Sequence, residues 1–330
     1  MSAGENTIAV LGAGPVGSIL AAGFATAGQD VLLIESDPNR ARQLYEHGLE
    51  VTGTMTMASR AFTLLRSLEE LQNHKPMAIF ICSKTWALKT ILPQLQKVLH
   101  PGTVVISFQN GIGPEDEVGK FFAPDCVARG IVNYAGGVSP ADGRATMQWF
   151  TPPNYLGPLK NGCLPALDRL AGVMNKAGLT TETRPTYDVK KLTFFKTILN
   201  SALNALCATS GITMRQAMTY AHTQNLANIL IREGLSVAAA VGYNYGEDAR
   251  EDCIAYLMRG GDHLPSMWAD LKNKCPTEIE YINGKIVKVG LMFKNIDVAV
   301  NIFFTSMIIT QEIKSGVRAP EDIPEYLKHF

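Results

Sequence analysis

The sequence predicts an α/β architecture: an N-terminal doubly wound parallel sheet followed by a C-terminal all-helical domain. Three observations lead there. From residue 7 to about 135, short apolar runs alternate with helical patterns, as the strands and crossover helices of a parallel sheet do. The first run, Ile8-Ala9-Val10-Leu11, leads directly into Gly12-Ala13-Gly14-Pro15-Val16-Gly17 and a helix. Beyond Arg184-Pro185, only patterns of helical period remain.

Taken in order, residues 7–11 form the first strand. A helix over 15–27 opens on Pro15, a favoured first-turn residue, and ends at Gly28. Residues 31–35 form the second strand, and a helix runs from Asp37-Pro38 to Gly48. Residues 50–63 are polar and threonine-rich, which suits β structure. Met77-Ala78-Ile79-Phe80-Ile81-Cys82 is continuously apolar, as a strand covered on both faces should be. A helix over 86–99, Pro101-Gly102 and a strand over 103–108 follow. Segments 127–134, 145–150 and 154–156 read as further strands added antiparallel. Residues 164–176 form a helix and 180–183 a last strand. Helices are then expected over 189–209, 214–241, 248–259, 265–273, 277–289 and 298–314. The domain boundary falls at 185/186, giving domains 1–185 and 186–330.

The chain has 330 residues, 46% hydrophobic and 18% charged, enough for two domains each with a core. Its 30 basic and 30 acidic residues cancel, so no broad basic face for nucleic acid or an anionic membrane is indicated. No apolar run reaches the length of a membrane span, and residues 1–7 carry no basic-then-apolar leader. The six cysteines are scattered without Cys-x-x-Cys, which suits reduced thiols in a cytoplasm, and no histidine or cysteine spacing suggests a metal.

Gly12, Gly14 and Gly17 make Gly-x-Gly-x-x-Gly. Gly12 permits a tight turn, Gly14 lets the backbone approach a pyrophosphate, and Gly17 lets helix and strand pack closely. The helix N-terminus offers its N–H groups and dipole to the phosphates. Glu35 ends the second strand 18 positions after Gly17, where an acid accepts ribose hydroxyls. The bland alternative is a tight turn with no ligand. In open α/β sheets, ligands lie at the carboxyl ends of the strands. Ser83-Lys84 and Gln109-Asn110-Gly111 fall at that edge too, so a dinucleotide there would meet Lys84 and Asn110. Equally, Lys84 fits a solvated loop and Asn110-Gly111 a simple turn.

In the helical part, Lys196, Asn200 and Asn204 recur every four residues along an otherwise apolar helix. Such a stripe either faces water or carries function, because its burial without partners is costly. Ser266-Met267-Trp268-Ala269-Asp270 and Thr277-Glu278-Ile279-Glu280-Tyr281-Ile282-Asn283-Gly284 read either as helix starts capped by Ser or Thr or as active-site blocks.

From Ile8 to about Lys314, these stretches together resemble the ketopantoate reductase (2-dehydropantoate 2-reductase) family. The glycine turn, Ser83-Lys84-Thr85-Trp86, Gln109-Asn110-Gly111-Ile112-Gly113, Lys196-x-x-x-Asn200-x-x-x-Asn204, the serine-methionine block and the Thr-Glu block come in family order. The resemblance implies a Rossmann-type domain and NAD(P)H-dependent reduction of 2-dehydropantoate to (R)-pantoate, on the route to pantothenate and coenzyme A. It implies Lys196 as general acid, with Glu278 holding Lys196 or a substrate hydroxyl. Asn110, Asn200 and Asn204 would orient substrate and lysine, and Ser266 would bind the carboxylate. The cofactor residues implied are Gly12, Ala13, Gly14, Pro15, Val16, Gly17, Glu35, Ser36, Lys84 and Asn110, in a cleft that closes over the substrate.

The chain departs from the family pattern in places. Glu280 stands for the usual Asp, Lys274-Cys275 for a common Gly-Arg, Pro265 for a serine and Ala205 for a frequent Pro. Glu35-Ser36 stand where a partner for the 2′-phosphate of NADPH is common. Family habit leans to NADPH, whereas Glu35 and Asp37 would repel that phosphate and lean to NADH. Arg40 and Arg42, a turn further on, are expected on the exposed face of their helix. A homodimer is the base-rate expectation. Two alternatives are kept: a reductase of another 2-oxo or 3-oxo acid, and a non-catalytic dinucleotide-binding sensor.

Overall fold

The computed structural model describes residues 6–160 and 162–328. The expected lack of a leader concerns residues 1–7, of which 1–5 lie outside the described residues. The chain divides into two compact units. One runs to Lys190 but omits Asn110–Ile112; the other comprises Asn110–Ile112 and the chain from Lys191 onward.

The first unit contains, in chain order, β1 (Thr7–Leu11), α1 (Pro15–Thr26), β2 (Asp30–Ile34), α2 (Pro38–His47), β3 (Leu49–Gly53), β4 (Met57–Ser59), β5 (Thr63–Leu65), β6 (Ala78–Ile81), α3 (Leu88–Val98), β7 (Val104–Ser107), α4 (Pro114–Val118), β8 (Val127–Ile131), β9 (Tyr134–Val138), β10 (Ala145–Phe150), β11 (Asn154–Pro158), α5 (Leu164–Lys176) and β12 (Thr181–Thr183). Its main sheet has the order β12-β11-β8-β7-β6-β1-β2-β5. Neighbours from β8 to β5 pair parallel, as the alternation of strand and helix requires. Successive residues point to opposite faces. Ile8, Val10, Phe80 and Ile106 join one core with α1 and α5, while Ala9, Leu11, Ile79, Ile81 and Val105 join another with α3.

The later strands correct the expectation of antiparallel additions. Residues 127–134 split into two strands, and β8 pairs parallel with β7 because α4 carries the chain back before it. β11 pairs antiparallel with β8, and β12 parallel with β11. β9 and β10 leave this sheet and form a smaller one, β4-β3-β10-β9. The threonine-rich stretch is divided the same way, with β3 and β4 in the small sheet and β5 in the main one.

The second unit is helical: α6 (Thr186–Ser210) from Lys191 onward, α7 (Met214–Thr219), α8 (Ala221–Ala240), α9 (Ala249–Met258), α10 (Ser266–Lys272), α11 (Asn283–Gly290) and α12 (Ala299–Lys314). The single helix expected over 214–241 is broken at Tyr220, whose ψ of 122° is extended. The Thr223 hydroxyl donates to the carbonyl of Ala217 at 2.7 Å and accommodates the break. Residues 277–289 likewise divide into a 3-10 turn at Ile279–Tyr281 and α11. The Glu233 carboxylate accepts from the N–H groups of Val300 and Asn301 at 2.9 Å each, capping α12 from α8. Burial raises the pKa of Glu233 against the pull of these bonds. Among the described residues, no helix is long and apolar enough to cross a membrane, and all six cysteines are free.

Candidate active site

The glycine turn has the geometry its sequence predicts. Gly12 has φ +98°, and a Cβ there would meet the Ser83 nitrogen at 3.1 Å. A Cβ on Gly17 would collide with the Gly12 carbonyl. Nothing lies within 4 Å of a Cβ on Gly14, so the backbone there is open to a bulky anion. Gly14 caps α1 without a side-chain bond, and Pro15 occupies its first turn, leaving the helix N-terminus for a ligand. The Ser83 hydroxyl is buried without a hydrogen-bond partner among the described residues, a polar atom available to a ligand at the same strand edge. These residues fit a dinucleotide. Tyr134 hydroxyl donates to the Val16 carbonyl at 3.1 Å, and burial pushes its phenol well above the ordinary value. Tyr134 steadies the first turn of α1, a task that its sequence context does not signal.

Glu35 turns inward on this loop. Its carboxylate accepts from the N–H of Ala13 at 2.9 Å and of Asp37 at 2.8 Å, and Ser36 beside it is exposed. Arg40 corrects the expectation of an exposed side chain. It donates to the Ala13 carbonyl at 2.9 Å, to the Ser18 hydroxyl at 2.8 Å and to the Gly143 carbonyl at 2.7 Å. Burial lowers its pKa, opposed by the charge of Glu35. Arg42 is exposed on α2, as expected. Lys84 is half-buried in extended backbone ahead of a 3-10 turn at Thr85–Ala87.

A buried network lies under the β7 edge. Arg129 donates to Glu115 at 3.1 Å and to the Gln109 carbonyl at 2.7 Å. The Gln109 side chain donates to the Ser83 carbonyl at 2.8 Å. Arg129 and Glu115 side chains are each 4% exposed, and neither stood out in the sequence because their positions are far apart in it.

The helical unit gathers the other candidates. Lys196 and Asn200 are half-buried on α6 and Asn204 is 6% exposed, so the stripe does not simply face water. Asn283, fully buried on α11, donates to the Ser201 carbonyl of α6 at 3.0 Å. This bond ties the lysine helix to the segment that begins at Thr277. Asn110–Ile112 joins the same assembly: the Ile112 N–H donates to the Tyr281 carbonyl at 2.9 Å. Gly111, at φ +87°, presses so closely on the Tyr281 backbone that a Cβ would overlap it. Asn110 is half-buried beside it, and Glu278 is 6% exposed three residues before Tyr281. Asn110, α6 and Glu278 therefore belong to one bonded framework. Ser266 stands outside these bonds, exposed in the first turn of α10. It is not the cap, which is Pro265.

Thr277 is held by a carboxylate the sequence did not flag. Its N–H and hydroxyl both donate to Glu312 at 2.7 Å, and the Ile279 N–H donates to the Thr277 hydroxyl at 3.3 Å. Arg318 donates to Glu312 and to Glu280, each at 2.7 Å. Burial opposes the Arg318 charge, but its bonds and proximity to Glu280 and Glu312 outweigh that and raise its pKa. Glu280 meets Arg318 from the 3-10 turn at Ile279–Tyr281.

Comparison with known proteins identifies the family. Residues 8–160 match the family described as ketopantoate reductase PanE/ApbA, and residues 188–312 match its C-terminal domain. The 2-dehydropantoate 2-reductase of Pyrococcus abyssi (strain GE5 / Orsay) is 27% identical over 310 residues, covering 94% of this chain and 99% of the relative. That of Archaeoglobus fulgidus is 27% identical over 312 residues, covering 94% and 98%. Among solved structures, a ternary complex of D-mandelate dehydrogenase with NADH and anilino(oxo)acetate has a TM-score of 0.83 at 24% identity, covering 94% of this chain and 100% of that one. A PanE/ApbA family ketopantoate reductase from Ralstonia eutropha JMP134 has a TM-score of 0.82 at 22% identity, covering 94% and 99%. With both halves of its sequence matched in order, the chain belongs to the ketopantoate reductase PanE/ApbA family.

Proposed function

We propose that the protein reduces 2-dehydropantoate to (R)-pantoate with a reduced nicotinamide dinucleotide, NADH in preference to NADPH. Residues 1–185 bind the cofactor, and residues 186–330 carry the substrate and the proton chemistry. The observation that carries this is the bonded framework joining Asn110–Ile112, α6 and the Glu278 segment in one unit.

When bound, the dinucleotide supplies a hydride with its electron pair. Gly12, Ala13, Gly14, Pro15, Val16 and Gly17 would hold its pyrophosphate, with Glu35, Ser36, Lys84 and Asn110 as further contacts. The oxygen of the ketone gains negative charge as its carbon is reduced. Lys196 faces that charge and gives its proton to the oxygen, a role worth ~10²–10⁴ in rate. Glu278 orients the Lys196 ammonium or a substrate hydroxyl. Asn110, Asn200 and Asn204 hold the 2-oxo acid by hydrogen bonds, and Ser266 binds its carboxylate. Positioning contributes alongside proton transfer, because the cofactor brings the reactive hydride.

The preference for NADH is supported by Glu35, fixed at the turn by two backbone N–H groups. A carboxylate there accepts ribose hydroxyls and repels a 2′-phosphate. Arg40 stands near, but each of its three nitrogens already donates to a protein acceptor. The solution assembly is taken as a homodimer and the compartment as the cytoplasm. Six free cysteines support the compartment, and light scattering tests the assembly.

The deciding experiment is a steady-state assay of 2-dehydropantoate with NADH and with NADPH, beside a panel of other 2-oxo and 3-oxo acids. Fastest turnover with 2-dehydropantoate and NADH is expected. A higher kcat/KM for another acid moves the substrate assignment to that acid.

A further inference from the structure

Glu312 lies on α12, 0% exposed, and has no role in the reaction as proposed so far. A carboxylate so buried is tolerable only when its oxygens are fully bonded. One oxygen, Oε1, takes both the N–H and the hydroxyl of Thr277; the other takes Arg318 Nε, all at 2.7 Å. These are charge-assisted bonds, short and directional. A buried ion pair adds little net stability over apolar packing of the same volume, so the main yield of the arrangement is geometric.

What it fixes is Thr277, the residue that precedes Glu278. The same Arg318 continues through Nη2 to Glu280 at 2.7 Å, so the neighbours of Glu278 on both sides are tied to one guanidinium–carboxylate pair. Arg318 is itself anchored by donating to the Asp322 carbonyl at 2.8 Å. The Thr277 hydroxyl accepts from the Ile279 N–H at 3.3 Å, closing the turn around Glu278 locally.

We propose that Glu312 is a positioning residue for the reaction: acting through Thr277 and together with Arg318, it sets where the Glu278 carboxylate stands. This rests on the role given to Glu278 above. Misplacement of a reacting group by about 1 Å can cost ~10²-fold in rate, so loosening Thr277 slows turnover without touching the dinucleotide turn, whose residues belong to the other unit.

The test compares T277S, T277V, E312Q and E278Q in the full chain, on the 2-oxo acid that the wild type reduces fastest. Four quantities are read for each: melting temperature, kcat, KM for the acid, and NADH affinity by nucleotide fluorescence. T277V removes the hydroxyl at nearly constant shape, and E312Q turns an amide N–H toward Arg318. Both are expected to lower kcat per folded molecule at least tenfold, with NADH affinity within twofold of wild type. T277S, which restores the hydroxyl, is expected to recover most of kcat. If T277V and E312Q keep kcat within twofold while E278Q is slow, Glu278 retains its role and the positioning proposal is overturned. If E278Q itself keeps wild-type kcat, the role of Glu278 fails and the proposal falls with it. Should E312Q not fold, T277V against T277S decides alone.

Discussion

The Nε of Arg40 donates to the carbonyl of Ala13 at 2.9 Å, inside the glycine turn. The peptide units of Ala13 are thereby held from two sides, since its N–H donates to Glu35 and its carbonyl also accepts from the Ser18 hydroxyl at 2.9 Å. A turn that must present N–H groups to a pyrophosphate is thus set before any ligand arrives, which lowers the ordering cost of binding.

The proposed preference for NADH is tested at Glu35, which holds the same turn. Wild type is expected to show a higher kcat/KM with NADH than with NADPH, and Glu35→Arg to shift the ratio toward NADPH by tenfold or more. Steady-state kinetics with both nucleotides check this. A wild type already favouring NADPH would mean that Arg40 gives up its protein acceptors to clamp the 2′-phosphate.

For Lys196→Ala, turnover is expected to fall by roughly two orders of magnitude or more, with NADH still bound. Stopped-flow turnover and nucleotide fluorescence separate the two effects. Near-normal turnover removes Lys196 from the chemistry.

Glu278→Gln is expected to damage kcat more than stability. A carboxylate that merely favoured a helix start would be worth ~0.3–1 kcal/mol. A sharp drop in melting temperature with normal kinetics in the folded fraction assigns Glu278 a structural task instead.

Gly111→Ala and Gly102→Ala form a matched pair. Both positions have positive φ, +87° and +90°, but a Cβ at Gly102 meets nothing within 4 Å while one at Gly111 overlaps Tyr281. Each should lose ~1–3 kcal/mol to backbone strain. Chemical denaturation is expected to show a clearly larger loss for Gly111→Ala. Equal losses would mean that Tyr281 yields freely.

Arg129→Leu leaves the Glu115 carboxylate buried without its guanidinium, a change expected to cost about 3–5 kcal/mol. Denaturation of this variant beside Arg129→Leu/Glu115→Leu measures it. The double variant should recover part of the loss, since no lone charge remains buried. A single variant as stable as wild type contradicts the importance of the pair.

Where the physics is local, the sequence was legible. The apolar runs, the glycine turn and the period of α6 depend on residues within a few positions of one another, and each stands where its pattern indicated. Long-range pairing was not legible: nothing in residues 127–150 states that β8 joins the parallel sheet while β9 and β10 leave it. The same holds for the site. Lys196 stood out on an apolar helix and Asn110 beside a glycine, while Glu278 took its expected role from the family resemblance. Glu312, Arg318 and Arg129 did not, because a charged residue on a helix or strand looks identical in sequence whether it faces water or a partner remote along the chain. Arg40 was misjudged for that reason. Its acceptors at Ser18 and Gly143 lie on either side of it, far along the chain.

Three residues from the middle of the first half, Asn110–Ile112, belong to the helical unit, and Ile112 packs against its apolar core. The two units are therefore not modular as gene segments. A fragment starting at Lys191 would lack the bend that donates to Tyr281, and a fragment ending at Lys190 would carry that bend away from its seat. Cutting the chain at the apparent boundary would break the bond that brings Asn110 to the glutamate segment, so neither half carries the whole of its own unit.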